Sequence, residues 1–217
     1  MSLILYYGSG SPYAWRAHLA LEHKALPYEL KVLSFSAGDT RKPEFIALNP
    51  RHQVPVLVDG DFVLYESNAI VEYLDEAYPA TGAPLFPGDT RTRALARRFI
   101  LEIDNYFYKG ADPVFEQAFW VKPEDRNAAT IAAGKKAIAE EAALFTASMR
   151  GEFLAGPLSA ADFALYPLIA FAKRCEDKKL PDLGFDALIT PQLAAWKKRI
   201  EALPFFDKTI PPHWKAS

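Results

Sequence analysis

Strand-like and helix-like patterns of apolar residues alternate over residues 1–80. Apolar runs of strand length occur at residues 3–7, 28–33, 55–58 and 62–64. Between them, apolar residues recur at helical spacing, at residues 12–24, 43–48 and 67–78. Spacing of i, i+3, i+4 gives one buried helix face, whereas short runs rich in β-branched residues favour strands. The order βαβαββα predicts a small α/β domain.

A segment rich in proline and glycine at residues 79–89 ends this alternation. Such clusters mark loops and linkers. The strand pattern is absent beyond it, and helical spacing occurs at residues 90–120, 123–149, 159–175 and 191–203. We therefore expect a linker at residues 81–90 and an all-helical domain at residues 91–217. In that domain Ser159 and Asp162 have the spacing of a capping box, which predicts a structural role.

Composition and charge narrow the class of protein. Half of the 217 residues are hydrophobic, which is enough for a sizeable core, and the formal net charge is −2. This balance argues against non-specific binding of nucleic acid. The single cysteine, Cys175, excludes an internal disulfide and a cysteine-rich metal site. No apolar run approaches the roughly 20 residues of a membrane span, and no signal peptide is recognisable, so we expect a cytoplasmic protein.

Two short motifs around the third and fourth predicted strands suggest a binding slot. Pro55 enters a buried strand, where it removes a backbone donor and can fix the carbonyl and N–H of Val54 toward an outside partner. Glu66 and Ser67 open the next helix, and the free N–H groups of a helix start suit a carboxylate. Together the motifs predict a slot for a small peptide with an anionic end.

An ordered series of motifs resembles the cytosolic glutathione transferases. The motifs are Gly8-Ser-Gly-Ser11 with Pro12 and Arg16, Lys42-Pro-Glu-Phe45, Asn49-Pro50, Gln53-Val-Pro-Val-Leu57, Glu66-Ser67 and Phe153-Leu-Ala-Gly156. They span nearly the whole chain and are closest to the serine-type, bacterial, theta/zeta/phi-like members. The resemblance implies a thioredoxin-like N-terminal domain, an all-α C-terminal helical bundle, a homodimer, and glutathione as a co-substrate with no metal.

The resemblance also implies which residue activates the glutathione thiol. In serine-type and cysteine-type members the catalytic residue sits where Ser11 stands, at the start of the first helix. Ser9 is the rival, because the Gly-Ser-Gly-Ser loop could present either hydroxyl. Tyr6 and Tyr7 end the first strand, where tyrosine-type members carry their donor, but their spacing to Arg16 fits that pattern poorly. We interpret Arg16 as a structural charge rather than a ligand contact.

The same resemblance assigns the residues that bind glutathione. The Val54 backbone, held by a cis bond to Pro55, would pair with the cysteinyl part of the peptide. Glu66 and Ser67 would hold the γ-glutamyl end, and the Gln53 amide would contact the same peptide. Arg41 or Lys42 is expected to bind the glycine carboxylate.

The predicted function is conjugation of glutathione to a hydrophobic electrophile. Of six aromatic residues in the helical part, we expect some to lie in the core and others to line the acceptor site. They are Tyr106, Phe107, Tyr108, Phe115, Phe119 and Trp120. Tyr13 is expected to line the acceptor site as well. The alternatives are a glutathione-dependent isomerase, peroxidase, dehalogenase or ether-cleaving enzyme on the same site, or a non-enzymatic interaction protein. The loop has no cysteine, which disfavours thiol–disulfide exchange.

Overall fold

The computed structural model describes residues 3–215, which form two compact units. Met1 and Ser2, at the start of the predicted α/β domain, and residues 216 and 217 lie outside the described range. The strands are β1 Leu3–Gly8, β2 Tyr28–Leu33, β3 Val56–Asp59 and β4 Phe62–Tyr65. The helices are α1 Pro12–His23, α2 Pro43–Ile46, α3 Ser67–Ala77, α4 Thr90–Glu102, α5 Tyr108–Phe119, α6 Ala128–Ser148, α7 Ala160–Lys178, α8 Pro191–Glu201, α9 Phe206–Thr209 and α10 Pro212–Lys215.

The first unit is built on a four-stranded mixed sheet in the order β2-β1-β3-β4. β1 pairs in parallel with β2, with Leu5 opposite Leu30, and antiparallel with β3, with Leu5 opposite Leu57. Leu5 and Leu57 are buried, and α1 packs against α3 as part of the same unit. The predicted βαβαββα order of a thioredoxin-like domain is confirmed.

The named elements of the second unit, Pro87–Ala202, are all helices. The single helix predicted for residues 90–120 is divided, because α4 passes through a π-helical turn, Ile103–Phe107, into α5. At the start of α7 the predicted capping box is present. Asp162 is fully buried and accepts hydrogen bonds from Leu154 N, Ser159 N, Ser159 Oγ and Trp196 Nε1, at 2.8–3.1 Å. The box therefore joins a loop, α7 and α8 through one carboxylate.

The chain after Leu203 packs differently from our expectation. We placed it in the helical domain, residues 91–217, whereas in the structure it belongs to the first unit. Trp15, on α1, explains the difference, since its indole Nε1 donates to Thr209 Oγ1 at 3.0 Å and its ring packs edge-on against Trp214 at 5.2 Å. The first unit also extends to Phe86, inside the expected linker, because the Asp75 carboxylate accepts from Leu85 N and Phe86 N.

None of the helices in residues 3–215 is long and apolar enough to cross a membrane.

A partly buried chain of hydrogen bonds links α1 to β2 in the first unit. His18, with 4% of its surface exposed, is 2.6 Å from the Tyr28 hydroxyl through Nε2, and that hydroxyl donates to Glu22 Oε1 at 2.7 Å. Burial lowers the pKa of His18 to about 4, although the Glu22 carboxylate acts in the opposite direction. The imidazole is therefore neutral at pH 7.

We expect His18 to make the protein less stable in acid. Because its folded-state pKa lies below the ordinary 6.5, the unfolded chain takes up the proton first as the pH falls. The stabilisation is complete above pH 6.5 and is lost as the pH falls toward 4, which amounts to about 3 kcal/mol. The free energy of unfolding, measured with urea, should therefore fall by less between pH 7 and pH 4 in His18→Gln than in the wild type.

His52→Gln is the matched control, since His52 is exposed. Its loss of unfolding free energy between the two pH values should equal that of the wild type. Equal losses in the wild type and His18→Gln would show that His18 does not titrate on unfolding as its burial predicts.

Candidate active site

The register of the sheet brings the predicted motifs to one edge. Tyr6 of β1 is opposite Val56 of β3, so the end of β1 faces the residues that precede β3. Val56 is also opposite Tyr65 of β4, so Glu66 and Ser67 follow at the same edge. The loop after β1, the Val54–Pro55 bond and the start of α3 therefore adjoin one another within the first unit.

Gly8 allows the first two motifs to approach closely. A Cβ added at Gly8 would lie 2.8 Å from Val54 Cγ2 and 2.3 Å from Phe35 Cζ, closer than any side chain tolerates. The Val54–Pro55 bond is cis, as expected from the resemblance. Before it, the Asn49 side chain closes the turn by donating from Nδ2 to the Gln53 carbonyl at 2.8 Å. Val54 is thus set beside the loop that carries the two serines.

Ser11 is the N-cap of α1, with Pro12 in the first turn. Its Oγ accepts a hydrogen bond from Ala14 N at 3.3 Å, and its own N–H donates to the Gly8 carbonyl at 2.9 Å. A hydroxyl that accepts through oxygen keeps its proton for donation. Within residues 3–215, no acceptor takes that proton. Ser11 is therefore equipped to donate to an anion at a helix N-terminus.

The other candidate donors of this region are placed differently. Tyr7 is fully buried, and burial raises the pKa of its hydroxyl above the usual range, although the Gly10 backbone acts in the opposite direction. Tyr6 packs its ring against Phe45, with Lys31 over one face. Ser9 is 2.6 Å from His213 of α10. Tyr7 therefore cannot serve a ligand at the surface, whereas both serines can.

The start of α3 has the features of an anion site. Glu66, directly before the helix, has φ of 73°, a conformation that costs a non-glycine residue about 1–3 kcal/mol. Ser67 is 6% exposed, and its Oγ accepts from Arg16 Nη1 at 3.3 Å. Arg16 also donates to Asn68 Oδ1. Strain of this kind is typical of functional positions, and the helix N-terminus and the guanidinium both favour a carboxylate there.

Arg16 itself does not reach the surface, as only 1% of it is exposed. Its contacts with Ser67 and Asn68, and its position 5.1 Å from the Tyr13 ring, tie α1 to the start of α3. These contacts support the interpretation of Arg16 as a structural charge, which stays a prediction. Its partners at the start of α3 could not be read from the sequence.

The two bases before α2 have different surroundings. Arg41 lines an open cleft of about 550 Å³ in the first unit with Thr40, Arg51, His52 and Gln53. Lys42 instead forms an ion pair with Asp39, with 2.7 Å between Nζ and Oδ1, and the pair raises the pKa of Lys42. The cleft combines a guanidinium pair with the Gln53 amide, a set of donors that suits a carboxylate. Sequence reasoning gave Arg51 no role.

The aromatic residues divide between core and surface. Phe107 and Phe115 are buried in the second unit, with Phe115 edge-on to Phe171 at 4.9 Å. Tyr106 and Trp120 are 61% and 71% exposed. Sequence reasoning missed Phe35, which follows β2, lies beside Gly8 and is 53% exposed. It offers an apolar surface next to the serine loop.

The cysteine and the metal-ligand residue types were predicted from the sequence to carry no site. Cys175 is buried in α7, and burial raises the pKa of its thiol to about 12, so it is not a ready nucleophile. Residues 3–215 contain no group of three or more His, Cys, Asp or Glu side chains that could hold a metal ion.

Comparisons with known proteins agree with this geometry. The family models described as "Glutathione S-transferase, N-terminal domain" and "Glutathione S-transferase, C-terminal domain" match residues 10–77 and 111–204. Glutathione S-transferase A of Pleuronectes platessa is 30% identical over 99% of this chain and 94% of its own length. Glutathione S-transferase 3 of Zea mays is 32% identical over 92% and 89%. The crystal structure of a glutathione S-transferase from the Antarctic clam Laternula elliptica superposes with a TM-score of 0.84 at 30% identity, covering 100% of this chain and 95% of that one. The chain belongs to the glutathione S-transferase family.

Proposed function

We propose that this glutathione transferase is of the serine type, with Ser11 activating the thiol of bound glutathione. Bound glutathione releases its thiol proton to solvent, and the Ser11 hydroxyl donates to the sulfur and stabilises the thiolate. The thiolate then attacks an electrophilic carbon, a C–S bond forms, and a leaving group such as halide departs with the bonding electrons. The observation that carries the proposal is the Ser11 hydroxyl at the N-cap of α1, whose oxygen is occupied by Ala14 N while its proton remains available.

The free energy needed to ionise the thiol is of the size that Ser11 and the start of α1 can supply. A free cysteine-type thiol titrates near 8.5, so only a few per cent is ionised at neutral pH. Lowering the pKa by one unit requires about 1.4 kcal/mol of preferential stabilisation of the thiolate. A charge-assisted hydrogen bond contributes about 1.5–3 kcal/mol and a helix N-terminus about 0.3–1 kcal/mol. A shift of one to two units is therefore within reach of Ser11 at the start of α1.

The rest of the edge would hold the tripeptide. The Val54 backbone, next to the cis bond, would pair with the cysteinyl unit as a neighbouring strand does. Ser67 and the start of α3 would bind the γ-glutamyl carboxylate, and Glu66 would accept from its ammonium group. Gln53 would contact the peptide amide. Arg41 has the better position for the glycine carboxylate, because Lys42 is engaged by Asp39.

The second substrate is proposed to be a hydrophobic electrophile. Phe35 supplies exposed aromatic surface beside the serine loop, which suits an apolar or aryl acceptor. Disulfide exchange is disfavoured, since the loop carries hydroxyls and Cys175 is buried. By analogy with the family we also propose a homodimer that works in the cytoplasm.

Conjugation of glutathione to an aryl halide such as 1-chloro-2,4-dinitrobenzene tests the proposed activity. We expect the S-aryl conjugate to form with saturation in both substrates, and S-methylglutathione to inhibit without reacting. Binding of glutathione with no conjugation of any electrophile offered would contradict a transferase. Failure to bind glutathione at all would contradict the assignment of this edge as its site.

We expect Ser67→Ala to weaken glutathione binding. The change removes a hydroxyl from the proposed carboxylate site, and a hydrogen bond to a charged group is worth about 1.5–3 kcal/mol. The Kd from calorimetry should rise about 10- to 100-fold. Ser148→Ala, at the end of α6 in the second unit, is the matched control and should leave the Kd unchanged. An unaltered Kd in Ser67→Ala would remove Ser67 from the binding site.

A further inference from the structure

The C-terminal segment contacts the serine loop directly. Ser9 Oγ is 2.6 Å from His213 Nδ1, and a Cβ added at Gly10 would lie 2.9 Å from His213 Cε1. Gly10 has φ of 89°, a conformation that side chains other than glycine rarely adopt. Glycine at position 10 therefore lets the His213 ring lie against the loop beside Ser9. Nothing in the local sequence of either segment indicates this contact.

The direction of the hydrogen bonds follows from the neighbouring tryptophan. Trp214 Nε1 donates to His213 Nε2 at 3.0 Å, and an indole N–H can only donate. His213 Nε2 is therefore an acceptor without a proton, so the neutral ring carries its proton on Nδ1. Nδ1–H then donates to Ser9 Oγ. The Ser9 oxygen is occupied as an acceptor, and its own proton stays available for donation.

The hydrogen-bonded series Trp214–His213–Ser9 packs against α1, the helix that Ser11 caps. The Trp214 ring packs edge-on against Trp15, which is buried in α1 at 2% exposure. Trp15 Nε1 also donates to Thr209 Oγ1, which fixes the preceding turn of the C-terminal segment. His213 is therefore held against α1 through its neighbour Trp214.

We infer that Trp214 and His213 orient Ser9 as a second hydroxyl donor toward the glutathione sulfur, beside Ser11. His213 is a positioning residue, since it acts through Ser9. The inference rests on the proposed function, because it concerns the same thiolate. It makes the C-terminal segment part of the thiol-activating apparatus, in addition to its packing on the first unit.

The tautomer of His213 is the first test and requires no glutathione. Long-range proton–nitrogen NMR of the full chain, with assignment by loss of the signal in His213→Asn, distinguishes the two ring nitrogens. We expect the neutral ring to be protonated on Nδ1. A neutral ring protonated on Nε2 would reverse the bond to Ser9, make Ser9 a donor to the ring, and overturn the inference.

Variants of His213 provide the second test. An Asn side chain can donate from its amide nitrogen and accept through its oxygen, whereas Phe keeps the ring and has neither function. In His213→Phe the thiol pKa of bound glutathione, followed by ultraviolet absorbance of the thiolate, should rise by about half to one unit. The value of kcat/KM should fall about three- to tenfold. His213→Asn should remain within about twofold of the wild type.

A double variant separates positioning from packing. If His213 acts through Ser9, then Ser9→Ala combined with His213→Phe should be no worse than Ser9→Ala alone. Additive losses, or a bound thiol in His213→Phe that titrates as in the wild type, would overturn the inference. The proposed function would stand in that case, provided that wild-type protein lowers the thiol pKa. If the wild-type protein does not lower it, the proposed function fails whichever tautomer His213 adopts.

Discussion

Replacing Ser11 by Ala should lower kcat/KM for aryl-halide conjugation about 10- to 100-fold. The change removes the hydroxyl that donates to the thiolate, a hydrogen bond worth about 1.5–3 kcal/mol, and each 1.4 kcal/mol corresponds to a factor of ten in rate. Glutathione binding measured at pH 6, where a bound thiol with a pKa of about 6.5 or more is still mostly protonated, should change by less than about twofold, because the backbone and carboxylates of the peptide would be held elsewhere. Steady-state kinetics measures the fall in kcat/KM, and calorimetry on the same preparation measures the affinity for glutathione.

A control is needed because Ser11 is also an N-cap, and losing one costs about 1 kcal/mol of stability. Thr190 is the N-cap of α8 and accepts from Leu193 N at 3.1 Å. Thr190→Ala should destabilise the protein by at least as much, because Thr190 Oγ1 also lies 2.6 Å from Thr146 Oγ1, and should leave turnover unchanged. Full activity in Ser11→Ala, with an inactive Ser9→Ala, would transfer the catalytic role to Ser9.

Replacing Asp162 by Ala should destabilise the fold by about 3–5 kcal/mol while leaving glutathione affinity almost unchanged. Four donors now converge on this carboxylate. Its removal leaves buried N–H groups of Leu154, Ser159 and Trp196 without an acceptor, at about 1–3 kcal/mol each before relaxation. Urea unfolding should show the loss, and the yield of folded protein should fall.

Asp186→Ala is the matched control, because Asp186 is exposed in the same unit. Its free energy of unfolding should stay within about 0.5 kcal/mol of the wild type. If Asp162→Ala were as stable as the wild type but bound glutathione poorly, the structural interpretation of the capping box would be wrong.

Local patterns predicted much of the first unit. The strands at residues 28–33 and 62–64 and the helix starts at Pro12, Pro43 and Ser67 follow from short-range rules of apolar spacing, proline position and capping. These rules depend on neighbours along the chain, and so they apply to a single sequence. The division of the helix predicted at 90–120 by a π-helical turn was missed, because such turns have no local signature comparable to a cap.

Contacts between distant segments could not be predicted in the same way. The pairing of Arg16 with Ser67 and Asn68, the approach of Phe35 to Gly8, and the bond between Ser9 and His213 join residues far apart in sequence. Each depends on sheet register or on the path of the chain after Leu203. The assignment of glutathione-binding roles to Gln53, Val54, Glu66 and Ser67 came from family resemblance, and these roles stay predictions.

We propose that Ser11 keeps the sulfur of bound glutathione ionised near neutral pH. The most direct measurement is the ultraviolet absorbance of the thiolate, titrated against pH with glutathione bound to the wild type and to Ser11→Ala. We expect the wild type to lower the thiol pKa by about one to two units and Ser11→Ala to abolish most of this shift. A bound thiol that titrates like free glutathione, or identical titrations of the two proteins, would contradict it.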